Sequence, residues 1–468
     1  VPDIPHSPGV PAANAPHSSP QTRRRFLAAS GALAAAATAQ AGSVLKPAMS
    51  ARSASRILGA NDRIRVAAIG TGGKGTAHLR MLAPRAQTER DLEMVAVADV
   101  YSRWRERAQT VCSLASKDAY VDYRKMLERS DIDAVFIATP DHWHGQMAID
   151  CMATGRDVYL EKPYTLTIEE ARDVTAATKQ YQRVLQVGSQ HLSDRRYHTA
   201  RKIVEAGEIG VLLWAQTTYS RNSLTGEWNY YVEEEASPQT IDWPRWLGSA
   251  PQRPFSAERF FRWRKYWDYS GGIATDLFYH RIGPLLFVMG SQYPSRVSAS
   301  GGIYLFRDRE VPDTYSTTVE YPGFFITASS SMANEAGNRY LPPAIYGNKG
   351  TITFEREGVR VLGEPLYAGE ESVLAKSGKL HGVDEGPGMA RLHHDNFFAC
   401  MRSRKQPVLN EDLALEIMTA IKLGVDSYRE GKTIAFDPVA RQVLKTPPAR
   451  PAYEGRGDNP ADGMRKRG

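Results

Sequence analysis

Three observations predict an α/β fold in two parts. A short β-branched run, Ile64–Ile69, ends in Gly70-Thr71-Gly72-Gly73-Lys74-Gly75 and passes into helical apolar spacing at Ala77, Leu79 and Leu82. Further apolar runs at Met94–Ala98, Ala134–Ala138 and Asp157–Leu160 follow at the spacing of a doubly wound parallel sheet. From Arg296 to Leu362 the pattern changes to period-two alternation, as in Ser316–Tyr321 and Phe325–Ala328, broken by Gly, Pro and Asn. Such alternation belongs to antiparallel strands with one covered face. The expected architecture is therefore an N-terminal Rossmann dinucleotide-binding domain followed by a C-terminal α+β domain with a large, mainly antiparallel open sheet.

The composition agrees with a multidomain globular chain: 468 residues, 42% hydrophobic and 24% charged. A net charge of +7 is mild and dispersed, which argues against a nucleic-acid partner. Cys112, Cys151 and Cys400 form no CxxC spacing, so neither a disulfide framework nor a structural zinc is implied. Residues 1–20 are rich in Pro, Ser and Ala. Thr22-Arg23-Arg24-Arg25-Phe26-Leu27, an alanine-rich stretch and Ala39-Gln40-Ala41 then follow in the order basic, moderately apolar, small-residue cleavage site. This resembles a twin-arginine export signal, with cleavage expected after Ala41. Residues 1–41 thus read as leader and signal, 42–60 as a linker, 61–185 as the dinucleotide-binding domain, 186–445 as the second domain and 446–468 as a disordered tail. That route exports folded proteins. A cofactor would then be loaded in the cytoplasm and tightly held.

The glycine loop carries the first chemical expectation. Gly70 serves the tight turn, Gly72 the approach of backbone amides to a pyrophosphate, and Gly75 close packing of the helix whose N-terminus receives the phosphate. Thr71, Gly73 and Lys74 complete the loop. Asp99, at the end of the second strand, is placed to accept both ribose hydroxyls of NAD, while Arg103 and Arg105 nearby suit the 2′-phosphate of NADP. NAD is favoured and NADP is the alternative. Two more strand ends run into Thr139-Pro140-Asp141-His142-Trp143-His144 and Glu161-Lys162-Pro163, where open parallel sheets bind ligands. Thr139, Pro140, His144, Glu161, Lys162 and Gln190 are the further expected cofactor contacts. His142 and His144 have no third ligand at metal spacing, so no metal is expected.

With I-G-T-G-G-K-G at 69–75, A-T-P-D-H-W-H at 138–144 and E-K-P-Y-T-L-T at 161–167, the sequence resembles the glucose–fructose oxidoreductase, inositol dehydrogenase and rhizopine-catabolism (Gfo/Idh/MocA) family, over Ile64 to Pro438. Gly271–His280 has helical apolar spacing and sets Asp276 and His280 four apart, on one helix face. A carboxylate beside an imidazole orients it and raises its proton affinity, which suits an acid/base. The same spacing is common on ordinary surface helices. The resemblance implies that Lys162, Asp276 and His280 are the catalytic set, that the substrate is a carbohydrate or polyol, and that the antiparallel sheet joins subunits of a homo-oligomer.

Six of the eight tryptophans lie between Trp214 and Tyr269, among many Tyr and Phe; most are expected to be structural, though such density also lines sugar sites. A helix is expected at Tyr197–Ala206, a strand at Leu212–Tyr219, and closing helices at His393–Arg402 and Glu411–Tyr428, with His394 and Asp412 capping or packing. Three functions remain open at this level: an exported NAD(P)-dependent oxidoreductase acting on a sugar, polyol or glycoside hydroxyl; a glycosidase that oxidises transiently, eliminates and returns the hydride to a retained cofactor; and a nicotinamide-binding sensor without turnover. The intact Lys162, Asp276 and His280 set argues against the third.

Overall fold

The computed structural model describes residues 63–368, 378–384 and 386–449. The leader, signal and linker, and the tail beyond 449, lie outside the described residues. Among those described, no helix is long and apolar enough to cross a membrane.

The first sheet contains β1 (Ile64–Ile69), β2 (Leu92–Ala98), β3 (Ala119–Tyr120), β4 (Ala134–Ile137), β5 (Asp157–Glu161) and β6 (Leu185–Gly188), in the order β3-β2-β1-β4-β5-β6. All its pairings are parallel. This is the doubly wound order whose reversal between β1 and β4 opens a crevice at the strands' carboxyl ends. Helices α1 (Gly73–Thr88), α2 (Ser102–Cys112), α3 (Asp141–Ala153) and α4 (Ile168–Tyr181) accompany it. A capping box, in which Thr167 and Glu170 each accept from the other's backbone N–H, starts α4.

After α5 (Arg195–Glu205) comes a ten-stranded sheet made of β7 (Leu212–Thr218), β8 (Arg296–Gly302), β9 (Thr314–Glu320), β10 (Phe325–Ser331), β11 (Ala344–Gly347), β12 (Gly350–Phe354), β13 (Gly358–Gly363), β14 (Lys379–Gly382), β15 (Ile434–Asp437) and β16 (Gln442–Val443). Its order is β14-β13-β12-β11-β7-β10-β9-β8-β15-β16, and only β7 and β10 pair in parallel. Along β9 the buried positions are Tyr315, Thr317 and Val319, so one face turns inward while Ser316 and Thr318 face out. Helices α6 (Tyr279–Met289) and α8 (Glu411–Glu430) cover the inner face with Ile282, Leu286, Ile417 and Ile421.

One element departs from its expected place. Helix α7 (Met389–Ser403), read as part of the second domain, returns to the first sheet. Its Phe397, Phe398 and Met401 join the cluster of Val66, Ala68, Phe136, Leu79 and Leu82. Alternate residues of β1 and β4 point to that side, where Leu79 and Leu82 of α1 and Ala108 of α2 supply the rest of the cover. The sheet therefore draws its last cover from 200 residues downstream of its final strand, at about 1.5–3 kcal/mol for each buried Phe.

The segment 220–269 is also more than a connection. It crosses back to the first domain: Tyr101 bridges Ile241, Ser102 N–H donates to Thr240 O and Asp242 N–H to Val100 O. Trp243, Trp246, Phe260, Phe261 and Tyr269 then pack with Tyr101 as a core of their own.

Candidate active site

A cavity of about 710 Å³ opens at the carboxyl ends of the first sheet, a size suited to a small-molecule ligand. It runs from Gly70, Gly72, Gly73 and Lys74, past Thr139 and Pro140, to Lys162, Gln190, Asp276 and His280. The crossing segment walls its other side with Tyr230, Tyr231, Glu233, Trp263 and Arg264.

The glycine loop is shaped by contacts a side chain would destroy. Gly70 has φ +80°, and a Cβ there would lie 2.8 Å from Ala138 O. A Cβ on Gly75 would lie 1.9 Å from Gly70 O, so Gly75 packs the helix against its own loop. Gly72 lines the cavity, and its missing Cβ also makes room for the Trp104 ring, 2.7 Å from where that atom would be. Gly73 faces open space. Thr71 is fully buried and does not line the cavity; its N–H and Oγ1 donate to Asp99 at 2.6 and 3.1 Å. Asp99 also accepts from Tyr101 N–H, so its carboxylate holds the loop as well as bordering the cavity. Burial raises its pKa, against the pull of these bonds.

Besides Thr71, further expected contacts need correcting. His144 does not line the cavity: it is buried, with Nδ1 2.7 Å from Pro163 O and Nε2 2.9 Å from Thr139 O. It ties two ligand-facing turns together. Arg103 faces Glu233 and Glu235, and Arg105 binds Asp99 O, so neither awaits a 2′-phosphate. The arginine at the loop is Arg107, which donates to Thr71 O and lies over Trp104. The remaining set fits a dinucleotide. Lys74 stands over the loop, and Thr139 Oγ1 and Gln190 Oε1 are buried in the lining residues without a protein partner.

At the other end, Lys162 Nζ donates to Asp276 Oδ1 and to Asp276 O, both at 2.7 Å. Asp276 also accepts from Arg264 Nε at 3.0 Å and Trp228 Nε1 at 3.2 Å. Burial alone would push this carboxyl up, but Lys162 and Arg264 outweigh it and hold it well below the usual carboxylate range. Glu161 behaves similarly: burial opposes ionisation, while Lys74 at 3.3 Å and His78 at 2.7 Å keep it ionised.

The expected partnership of Asp276 with His280 is not the one observed. Asp276 sits in a π-helical turn, Ala274–Phe278, ahead of α6, and its oxygens are engaged by Lys162, Arg264 and Trp228. His280 Nδ1 instead meets Ser189 Oγ at 3.0 Å. Burial, then Lys162 and His191, lower the His280 pKa well below its ordinary value. The imidazole is therefore neutral at neutral pH, with Nε2 left for a ligand, which is the base form rather than the proton-loaded form.

Several functional residues escaped sequence reasoning. Ser189 directly precedes Gln190 after β6, yet no spacing connects it with residue 280. Arg264 lies in the aromatic segment, twelve residues before its carboxylate partner. Asp141, one residue before His142, is buried beside this cluster, and burial pushes its pKa up to about 8. His394 reaches His78 at 3.0 Å, and His78 meets Glu161. Asp412 pairs with Lys179 on the surface.

Residues 64–189 match the family model described as the NAD-binding Rossmann fold of the GFO_IDH_MocA oxidoreductases, and residues 195–302 match that family's C-terminal alpha/beta domain. An alpha-N-acetylgalactosaminidase of Shewanella oneidensis is 29% identical over 233 residues, 45% of this chain and 50% of that protein. An inositol 2-dehydrogenase of Rubrobacter xylanophilus is 30% identical over 194 residues, 40% of this chain and 53% of that protein. The chain thus spans about half the length of these relatives. A levoglucosan dehydrogenase solved with NADH and L-sorbose superposes with a TM-score of 0.62 at 20% identity, over 80% of this chain and 98% of that one. At that identity the likeness shows the fold.

Proposed function

As the chain belongs to the Gfo/Idh/MocA family of oxidoreductases, we propose that it oxidises a hydroxyl of a sugar or polyol with NAD. The observation that carries this reading is the single cavity joining the glycine loop to Lys162, Asp276 and His280. Bound NAD supplies the hydride acceptor. Gly70, Gly72, Gly73 and Lys74 would hold its pyrophosphate at the N-terminus of α1, and Thr139 Oγ1 and Gln190 would offer polar contacts further along. His280 takes the hydroxyl proton at Nε2 in the tautomer whose Nδ1–H donates to Ser189 Oγ, a contact of 3.0 Å that orients the ring. Lys162, anchored by Asp276, directs its ammonium at the substrate oxygen and stabilises the charge that develops there.

The likeness to a glycosidase favours a second reading, in which the same proton removal begins an oxidation, elimination and re-reduction on a glycoside. Both readings sit with a retained cofactor, since the crossing segment walls the nucleotide end with Glu233, which accepts from Trp104 Nε1 beside the glycine loop. Export through the twin-arginine route and oligomer formation through the open sheet belong to the same proposal. They rest on the Arg23-Arg24-Arg25 motif and on the polar outer face of β9 and β10.

The deciding experiment purifies the full chain without added nucleotide and assays the NAD(H) released on denaturation. The native protein is then given NAD with free sugars and polyols, and separately p-nitrophenyl glycosides. NADH formation from a free sugar is the expected result. Nitrophenol release without net NADH selects the glycosidase, and neither product rejects both.

A further inference from the structure

We propose that the substrate is an anionic sugar whose carboxylate or phosphate is received by Arg221 and Arg264. This rests on the sugar-oxidising reading above and names its substrate class. Both arginines line the cavity at the end that holds Lys162, Asp276 and His280.

Arg264 is held from two sides. Its Nε donates to Asp276 Oδ1 at 3.0 Å, and its guanidinium lies 4.1 Å from the Trp263 ring centroid. Its terminal nitrogens make no hydrogen bond to protein among the described residues, so the fork is oriented and open. Arg221 lies over Tyr219, 5.0 Å from the ring centroid, and reaches Glu227 and Tyr219 Oη only at 3.4 Å. A guanidinium stacked on an aromatic ring and lacking close partners is poised for a planar two-oxygen acceptor.

The pairing at this end points the same way. Lys162, Arg264 and Arg221 all act on the Asp276 carboxylate, and Glu161, ionised beside Lys162, also lines the cavity. Glu227 offers a third carboxylate, at the long distance just given. What is left over is therefore hydrogen-bond donors: the terminal nitrogens of Arg264 and the loosely held fork of Arg221. A neutral hydroxyl engages a guanidinium fork weakly, whereas a carboxylate or phosphate accepts from two of its nitrogens at once. Anchoring such a substituent at Arg221 and Arg264 would also aim the sugar ring at His280 and Lys162, since Arg264 and Lys162 share the Asp276 carboxylate.

The test is a binding panel on the full chain loaded with NADH, read by tryptophan fluorescence, using D-glucuronate, D-glucose 6-phosphate and D-glucose. At least one anionic probe is expected to bind tenfold or more tightly than D-glucose, with the preferred anion identifying carboxylate or phosphate as the source. Arg221→Gln is expected to reduce that preference about tenfold, the effect of losing a charge-assisted contact. Equal binding of all three probes to the unaltered protein overturns the proposal without any variant. So does an undiminished preference in a folded Arg221→Gln protein. NADH formation measured in parallel separates the two readings: discrimination without turnover sinks the oxidoreductase and leaves the anion site, and equal turnover of neutral and anionic sugars does the reverse.

Discussion

The two ends of the cavity are built in different ways. At the nucleotide end, one strand and one turn supply Gly70, Gly72, Gly73 and Lys74, and the chemistry is done largely by backbone shape. At the chemical end, Lys162, Ser189, Arg264, Asp276 and His280 come from separated segments, and the chemistry is done by how side-chain charges are paired. A backbone cradle is local and survives as a motif. A charge network exists only after folding, and its members choose partners by proximity in space.

The largest effect that would test this contrast comes from removing a charge or a base at the chemical end. His280→Ala and Lys162→Ala are each expected to lower kcat about 10²–10⁴-fold while NAD binding, followed by fluorescence, is unchanged. Loss of NAD binding in either variant would mean that the two ends are not separable. Conversely, Gly75→Ala is expected to weaken NAD binding severely through the collision with Gly70 O.

Next is Asp141. In the unfolded chain it ionises near the ordinary 3.8, while the folded protein holds the proton to about pH 8. Folding at pH 7 therefore includes an unfavourable proton uptake that fades as pH falls toward 4. Asp141→Asn is expected to stabilise the protein by about 2–4 kcal/mol at pH 7 and progressively less toward pH 4, measured by denaturant unfolding. An Asn that destabilises at pH 7 would show that a negative charge is wanted there.

Buried histidines act in the opposite sense. His142, His191 and His393 are each lowered to about 4 by burial. Below their ordinary 6.5 the unfolded chain takes up protons that the folded chain refuses, so stability falls as pH drops from 6.5 toward 4. With His280 and His394 lowered in the same way, these histidines outweigh the opposing gain from Asp141, and thermal unfolding should register a net loss of stability between pH 7 and 5. A flat melting temperature over that range would refute it. The smallest effect is Ser189→Ala: about tenfold in kcat, with KM little changed, as expected for a group that orients the imidazole without touching substrate.

Much of the fold was legible because its signals are local. The alternation of β9 and the glycine loop of β1 are periodicities and turns that short-range sterics enforce. The return of α7 to the first sheet was not legible, because Phe397 and Phe398 read as an ordinary apolar stripe until the uncovered face of β1 and β4 is known. In the site, Lys162, Asp276 and His280 were singled out and do line one cavity. The bonding among them was misread: i,i+4 spacing predicts a shared face, yet it does not say whether a nearer cation claims the carboxylate first. His144 shows the same limit, for a histidine at a ligand-facing turn became the tie between two turns.

By itself, the sequence determined the two-part architecture, the glycine cradle and the residue types available for proton transfer. These depend on backbone sterics and on hydrophobic period, which act over a few residues. Only the tertiary structure decided that Asp276 serves Lys162 and Arg264, that Ser189 serves His280, and that residues 220–269 wall the nucleotide groove. Electrostatic partners and desolvation are set by distance and burial in three dimensions, and neither is encoded in spacing along the chain.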